Sequence, residues 1–146
     1  MDPCAEALLY AADRAHNVAT VVVPALERGD VVVQDRYVDS SIVYQGKVRG
    51  LGDEVARISR WATRGLVPDL TIVLDTPVDE RRLVGDPDRL ERDTDAKAEE
   101  LRQGFLALAA AEPGRYAVIE ATGSVEDVAA KVRDAVRDAL ERGGRA

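Results

Sequence analysis

The chain has 146 residues and a formal net charge of −7, from 27 acidic and 20 basic side chains. Its 46% hydrophobic content is typical of a folded protein, and its length predicts a single domain over 1–146. The acidic balance argues against nucleic acid and anionic membranes as partners, because both attract basic surfaces. One cysteine and one histidine exclude a disulfide or a zinc site within a monomer. No apolar run approaches the roughly 20 residues of a membrane span, and we expect a cytoplasmic protein.

Apolar residues repeat at helical spacing in four segments, which predict helices over 3–28, 53–63, 96–111 and 125–140. Three short runs rich in β-branched residues predict buried strands over 31–33, 70–74 and 116–120. Asp2 and Ser124 are expected to cap helices. Pro24 should interrupt the first helix, and Gly29 should end it. Strands that alternate with helices predict an α/β fold with a parallel sheet.

Two of the segments carry more local expectations. The helix over 53–63 should bury Val55, Ile58 and Trp61 on one face. Residues 79–94 carry four arginines among acids and few apolar residues, which predicts a solvated segment that closes as a lid. These arginines are Arg81, Arg82, Arg89 and Arg92. A salt-bridged turn is the alternative interpretation of this segment.

A motif suited to phosphate, Asp35-Arg36-Tyr37, follows the run at 31–33 after a single residue. Ligands of parallel sheets bind beyond the carboxyl ends of the strands. An arginine there can bind phosphate, and the adjacent carboxylate can hold Mg²⁺ through water. Ser41 and Tyr44-Gln45-Gly46 follow, and serine and glutamine can read the edges of a base or sugar. A salt bridge within the loop is the alternative.

A second candidate pair lies on the first predicted helix. Tyr10 and Arg14 are four residues apart and therefore share one helix face. An aromatic ring beside a guanidinium could stack on a base and donate to its carbonyl. The alternative is a partly buried tyrosine next to a surface arginine.

Taken in order, these motifs resemble those of the thymidylate kinase family. The ordered set includes Leu8–Arg14, Asp35-Arg36-Tyr37, Tyr44-Gln45-Gly46, Pro68-Asp69-Leu70-Thr71 and Asp88-Arg89-Leu90-Glu91. The resemblance extends from about Ala7 to Leu140 and implies phosphorylation of dTMP to dTDP with ATP and Mg²⁺. It also implies a homodimer formed partly through a helix matching residues 4–28.

Carried over position by position, the resemblance implies the following site. Tyr10 would stack on thymine, Arg14 would donate to a thymine carbonyl, and Arg36 would bind the dTMP phosphate. Asp35 would organise Mg²⁺ and its waters. The remaining implied roles are contacts to base and deoxyribose from Ser41, Tyr44 and Gln45, lid positions for Arg89 and Arg92, and an adenine-loop position for Thr122.

One element of the family pattern has no counterpart in these residues. A phosphate-binding loop reads Gly, four residues, then Gly-Lys-Ser/Thr, whereas Gly46-Lys47 is followed by Val48. The resemblance therefore implies an incomplete P-loop-kinase-type three-layer fold, with a parallel sheet that lacks its first two strands. In the family's strand order 2-3-1-4-5, the runs at 31–33, 70–74 and 116–120 would be the third, fourth and fifth.

This absence predicts that the 146-residue chain alone is inactive as a kinase and that an N-terminal half is missing. Two alternatives remain open. The chain is a non-catalytic module that binds a nucleotide or a protein partner, or it derives from a related deoxynucleoside kinase.

Overall fold

The computed structural model describes residues 1–77 and 95–143. Its helices are α1 (Pro3–Asn17), α2 (Val23–Glu27), α3 (Val38–Ser41), α4 (Glu54–Ala62), α5 (Asp95–Ala111) and α6 (Val125–Gly143). Its strands are β1 (Thr71–Asp75) and β2 (Tyr116–Glu120), and π-helical turns cover Val18–Val22 and Ile42–Val48. The segment predicted as a lid, 79–94, lies outside the described residues. Contacts group the chain into two compact units, Met1–Val67 and Pro68–Ala146, and the single domain stays a prediction.

The first predicted helix is present with the expected ends. The Asp2 carboxylate accepts from the N–H groups of Cys4 and Ala5 at 2.9 and 3.1 Å, which caps α1. The π-helical turn Val18–Val22 ends two residues before Pro24, whose ring removes one donor and crowds the carbonyl four residues earlier. Gly29, at φ +82°, then ends α2 in a conformation that glycine adopts without strain.

In the unit Met1–Val67, the core forms where α1 packs against α4 and the π-helical turns. Val18, Val43 and Val55 are buried there. The prediction that Trp61 shares the buried face of α4 is wrong, because the Trp61 side chain is 83% exposed. At 3.6 residues per turn, Trp61 lies about 120° around the helix from Val55, outside the stripe that faces the core.

The unit Pro68–Ala146 is built on a parallel pair of strands. β1 and β2 pair in register from Thr71 opposite Tyr116 to Asp75 opposite Glu120. Helix α5 contacts both strands, and α6 contacts β2. The predicted cap of α6 is present, since the Asp127 N–H donates to the Ser124 hydroxyl at 3.1 Å. The α/β class and the pairing of these two strands are therefore confirmed.

The prediction of a strand at 31–33 is wrong. Within the described ranges, no strand forms there, and the sheet is limited to β1 and β2. Val31 and Val33 are 65% and 92% exposed. A β-branched run becomes a strand only where a neighbouring strand completes its hydrogen bonds, and none of the described strands pairs with this run.

A helix that crosses a bilayer needs about 20 predominantly apolar residues, and the helices described in this chain differ from that pattern. None of those described is both long enough and apolar enough to cross a membrane.

Candidate nucleotide site

Helix α1 presents three polar side chains one turn apart, at Glu6, Tyr10 and Arg14. Glu6 and Arg14 are buried, at 5% and 8% exposure, whereas Tyr10 is 38% exposed. The helix therefore holds a carboxylate and a guanidinium in the interior, with the accessible Tyr10 ring between them.

Arg14 contacts Tyr37 and helix α3, which ends at Ser41. Its Nη1 donates to the Ser41 hydroxyl at 3.0 Å, and its guanidinium carbon lies 5.6 Å from the centre of the Tyr37 ring. Burial lowers the pKa of Arg14 from its ordinary value, and Tyr37 and the nearby acid Asp13 partly oppose this effect. The guanidinium nevertheless stays charged, as arginine does in proteins. A desolvated cation with defined partners suits recognition of an electronegative group.

The Asp35-Arg36-Tyr37 motif divides between solvent and core. Tyr37 turns inward and its hydroxyl donates to the Leu66 carbonyl at 3.2 Å. Burial raises the pKa of Tyr37, against opposing effects from a hydrogen bond with Thr63 and from the charge of Arg14. Asp35 and Arg36 are exposed.

Arg36 has an unusual backbone conformation. Its φ of +59° lies in the left-handed region, which costs a residue with a Cβ about 1–2 kcal/mol. The guanidinium carbon lies 5.5 Å from the centre of the Tyr44 ring. Strain of this kind gathers at ligand-binding sites, and here it accompanies an exposed cation beside an aromatic ring.

The π-helical turns Ile42–Val48 carry Tyr44 and Gln45. Gln45 is 2% exposed, and its amide donates to the Glu6 carboxylate at 3.0 Å. Glu6 in turn lies 3.8 Å from the Arg49 guanidinium. Sequence reasoning missed Glu6 and Arg49, although the spacing of Glu6 from Tyr10 was the available signal.

The Gly46-Lys47 pair is not a phosphate-binding loop. Gly46 lies within the π-helical turns, and a Cβ added there would approach the Gly52 carbonyl to 3.2 Å. The Gly52 N–H also donates to the Gly46 carbonyl at 2.9 Å. Gly46 is therefore explained by close packing of two backbone segments, and Gly46-Lys47 does not fit the triphosphate of ATP.

A metal site built by the protein alone needs several donor side chains close together. Among residues 1–77 and 95–143, no group of three or more His, Cys, Asp and Glu side chains could hold a metal ion. Mg²⁺ in phosphate sites, however, is commonly held by one or two carboxylates and the substrate's own oxygens. The exposed Asp35 carboxylate beside Arg36 fits the role of such a single carboxylate ligand.

The unit Pro68–Ala146 contains a separate charged cluster that the sequence reasoning did not anticipate. The Arg102 Nε and Nη2 donate to the two oxygens of Asp75 at 2.6 and 2.9 Å. Glu99 accepts from Nη1 at 3.1 Å. The hydrogen bonds from Arg102 to Asp75 raise the pKa of Arg102. The signal was the position of Asp75 at the carboxyl end of β1, where ligands of such sheets bind.

The predicted site residues are therefore distributed as follows. The unit Met1–Val67 contains Tyr10, Arg14, Asp35, Arg36, Ser41, Tyr44 and Gln45. Direct contacts join Arg14 to Ser41 and Arg36 to Tyr44. Thr122 belongs to the other unit and donates to Glu120 at 2.9 Å. Arg89 and Arg92 lie outside the described residues.

Comparison with known proteins gives matches that share one description. A family model described as thymidylate kinase matches residues 1–132. A protein of Leifsonia xyli subsp. xyli named thymidylate kinase is 55% identical over 139 residues, which cover 90% of this chain and 65% of that protein. A thymidylate kinase of Clavibacter michiganensis subsp. michiganensis is 49% identical, over 99% of this chain and 71% of its own length. The chain thus spans about two thirds of the length of these curated relatives.

Proposed function

This chain belongs to the thymidylate kinase family, and we propose that it supplies the dTMP-binding residues for transfer of a phosphoryl group from ATP to dTMP, which gives dTDP. The observation that carries the proposal lies within the unit Met1–Val67. There an exposed cation, Arg36, lies beside Tyr44, and a desolvated cation, Arg14, is fixed by Ser41. One cation suits a phosphate and the other a base carbonyl.

Each proposed contact follows from the chemistry of its side chain. Arg36 binds the dTMP phosphate, because a solvent-exposed guanidinium offers two parallel N–H donors. Tyr10 presents an accessible ring on which thymine can stack. Arg14 donates to a thymine carbonyl. Ser41, Tyr44 and Gln45 complete the contacts to base and deoxyribose.

Phosphoryl transfer depends on positioning and on neutralising negative charge. Asp35 would hold Mg²⁺, which when bound neutralises charge on the phosphates. Arg89 and Arg92 are proposed as lid arginines with the same electrostatic role, and Thr122 is proposed near adenine. No step is assigned to ATP, because the 146 residues contain no Gly-x-x-x-x-Gly-Lys-Ser/Thr loop to hold its phosphates.

It follows that the 146-residue chain alone binds dTMP without turning it over. A phosphate-binding loop and further sheet strands would have to come from another segment. The helical region 4–28 is proposed as a homodimer contact, since Leu8, Leu9 and Val21 are exposed apolar side chains there.

Calorimetry with dTMP tests the binding proposal. The chain should give a binding heat at millimolar dTMP, and Arg36→Ala should abolish it. Arg28→Ala is the matched control, because Arg28 is an exposed arginine of the same unit, paired with Asp30. The absence of dTMP heat from the unsubstituted chain would contradict the proposal.

A coupled assay with ATP, Mg²⁺ and dTMP tests the second part. No turnover above background is expected, since losing even one transition-state donor costs ~10²–10³ in rate. Turnover that disappears in Arg36→Ala would show that the chain is itself a kinase. Tighter binding of thymidine than of dTMP would instead favour a deoxynucleoside kinase.

A further inference from the structure

Glu6 is a buried carboxylate to which the proposed function gives no role. It lies on α1, one turn before Tyr10, and is 5% exposed. Burying a carboxylate costs several kcal/mol unless hydrogen bonds and opposite charge compensate. Gln45 and Arg49 supply this compensation, with Nε2 of Gln45 at 3.0 Å and Nε of Arg49 at 3.8 Å from Oε1 of Glu6.

The contact with Glu6 determines which way round the Gln45 amide lies. An ionised carboxylate can only accept hydrogen bonds, whereas an amide has a donor end and an acceptor end. Gln45 must therefore present its NH₂ group to Glu6, and its carbonyl oxygen is turned away from Glu6. At 2% exposure, Gln45 has little access to water that could replace Glu6 as a partner of the NH₂ group.

We propose that Glu6 is a positioning residue that fixes the Gln45 amide, so that its carbonyl oxygen selects a base with an N–H group on its pairing edge. The inference rests on the proposed function, in which Gln45 contacts the base. Thymine and uracil carry a hydrogen on N3 and can donate to this oxygen. Cytosine has an unprotonated N3, which would face the oxygen as a second acceptor.

Replacing Glu6 with glutamine tests the inference, because a neutral amide at position 6 can accept or donate. Gln45 can then turn either end toward the base. The dTMP to dCMP affinity ratio should fall about tenfold in Glu6→Gln, which is the size expected from exchanging one buried hydrogen bond for a mismatch. Glu6→Asp keeps an acceptor-only group and should retain a ratio closer to that of the unsubstituted chain.

The measurement is calorimetric titration of the full 146-residue chain and its variants with dTMP and with dCMP. Glu54→Gln is the matched control, because it removes one carboxylate from the same unit at an exposed ion pair with Arg57. Its ratio should be unchanged. A general weakening by lost packing would lower both affinities equally, whereas the proposed role changes their ratio.

A second measurement covers the outcome in which Glu6→Gln does not fold. In the ¹⁵N-labelled unsubstituted chain, the side-chain NH₂ protons of Gln45 should exchange with water far more slowly than those of the exposed Gln34. Equal exchange rates would overturn the inference. The Gln45 signals are assigned by their disappearance in Gln45→Met.

The outcomes separate the inference from the function on which it rests. Equal weakening of dTMP and dCMP in Glu6→Gln overturns the role of Glu6 and leaves dTMP binding standing. An unsubstituted chain that binds dTMP and dCMP equally well also overturns the role of Glu6 and leaves dTMP binding standing. An unsubstituted chain that binds neither nucleotide overturns both proposals.

Discussion

The buried hydrogen bond between Arg14 and Ser41 can be tested by its free energy. Ser41 is 3% exposed and Arg14 8%, so Ser41→Ala leaves a donor of a buried charged group without its acceptor. Hydrogen bonds to charged groups contribute about 1.5–3 kcal/mol, and an unsatisfied buried donor costs a similar amount. We therefore expect Ser41→Ala to lower the free energy of unfolding by about 2 kcal/mol.

A double-mutant cycle isolates this contribution. In an Arg14→Met background there is no guanidinium to satisfy, so Ser41→Ala should cost close to nothing and the coupling should be about 2 kcal/mol. Urea unfolding followed by far-ultraviolet circular dichroism is the assay, because the sole tryptophan, Trp61, is 83% exposed and would report folding poorly. Ser40→Ala is the control at the adjacent serine. An equal cost of Ser41→Ala in both backgrounds, within about 0.3 kcal/mol, would refute the reasoning.

Three further predictions concern the backbone, the core and a helix cap. Because Arg36 has φ +59°, Arg36→Gly should be about 1 kcal/mol more stable than Arg36→Ala in urea unfolding, while both lose dTMP binding. Val43→Ala should lower the free energy of unfolding by about 2 kcal/mol, since it removes two buried methyl groups, whereas Val33→Ala should change it by less than about 0.5 kcal/mol. A large loss at Val33 would show that this side chain is buried and would support the predicted strand at 31–33. Hydrogen bonds with Ser124 lower the pKa of Asp127, so this carboxylate stabilises the fold above its unfolded pKa and the stabilisation disappears as the pH falls through its folded pKa. In Ser124→Ala the Asp127 pKa, followed by NMR titration, should rise toward its ordinary value, and the stability difference from the unsubstituted chain should shrink below pH about 4.

Much of the local structure could be predicted from the sequence. The caps at Asp2 and Ser124 and the helix end at Gly29 depend on hydrogen bonds between residues at most a few positions apart. The strand pair β1 and β2 was likewise recognisable, because both runs are apolar and each is bounded by turn residues. The ordered motifs were enough to indicate the family.

Other features depended on partners that a local pattern does not name. The run at 31–33 has the composition of a strand, but strand formation needs a neighbour and none of the described strands pairs with it. Trp61 is apolar, yet the direction in which α4 packs leaves it in solvent. The burial of a residue is a property of the surrounding elements, which composition and periodicity indicate only on average.

By itself, the sequence determined the α/β class, most helix boundaries, and the chemical types that can bind a nucleotide, because each follows from short-range geometry or from the functional groups present. Only the tertiary structure decided which of those groups meet. Glu6 and Gln45 are 39 residues apart and Arg14 and Ser41 are 27 apart, and both pairs are buried. Such contacts form because α1 and the segment that carries Ser41 and Gln45 pack into one core, so the orientation of an amide or a guanidinium is set by folding rather than by neighbours in the chain.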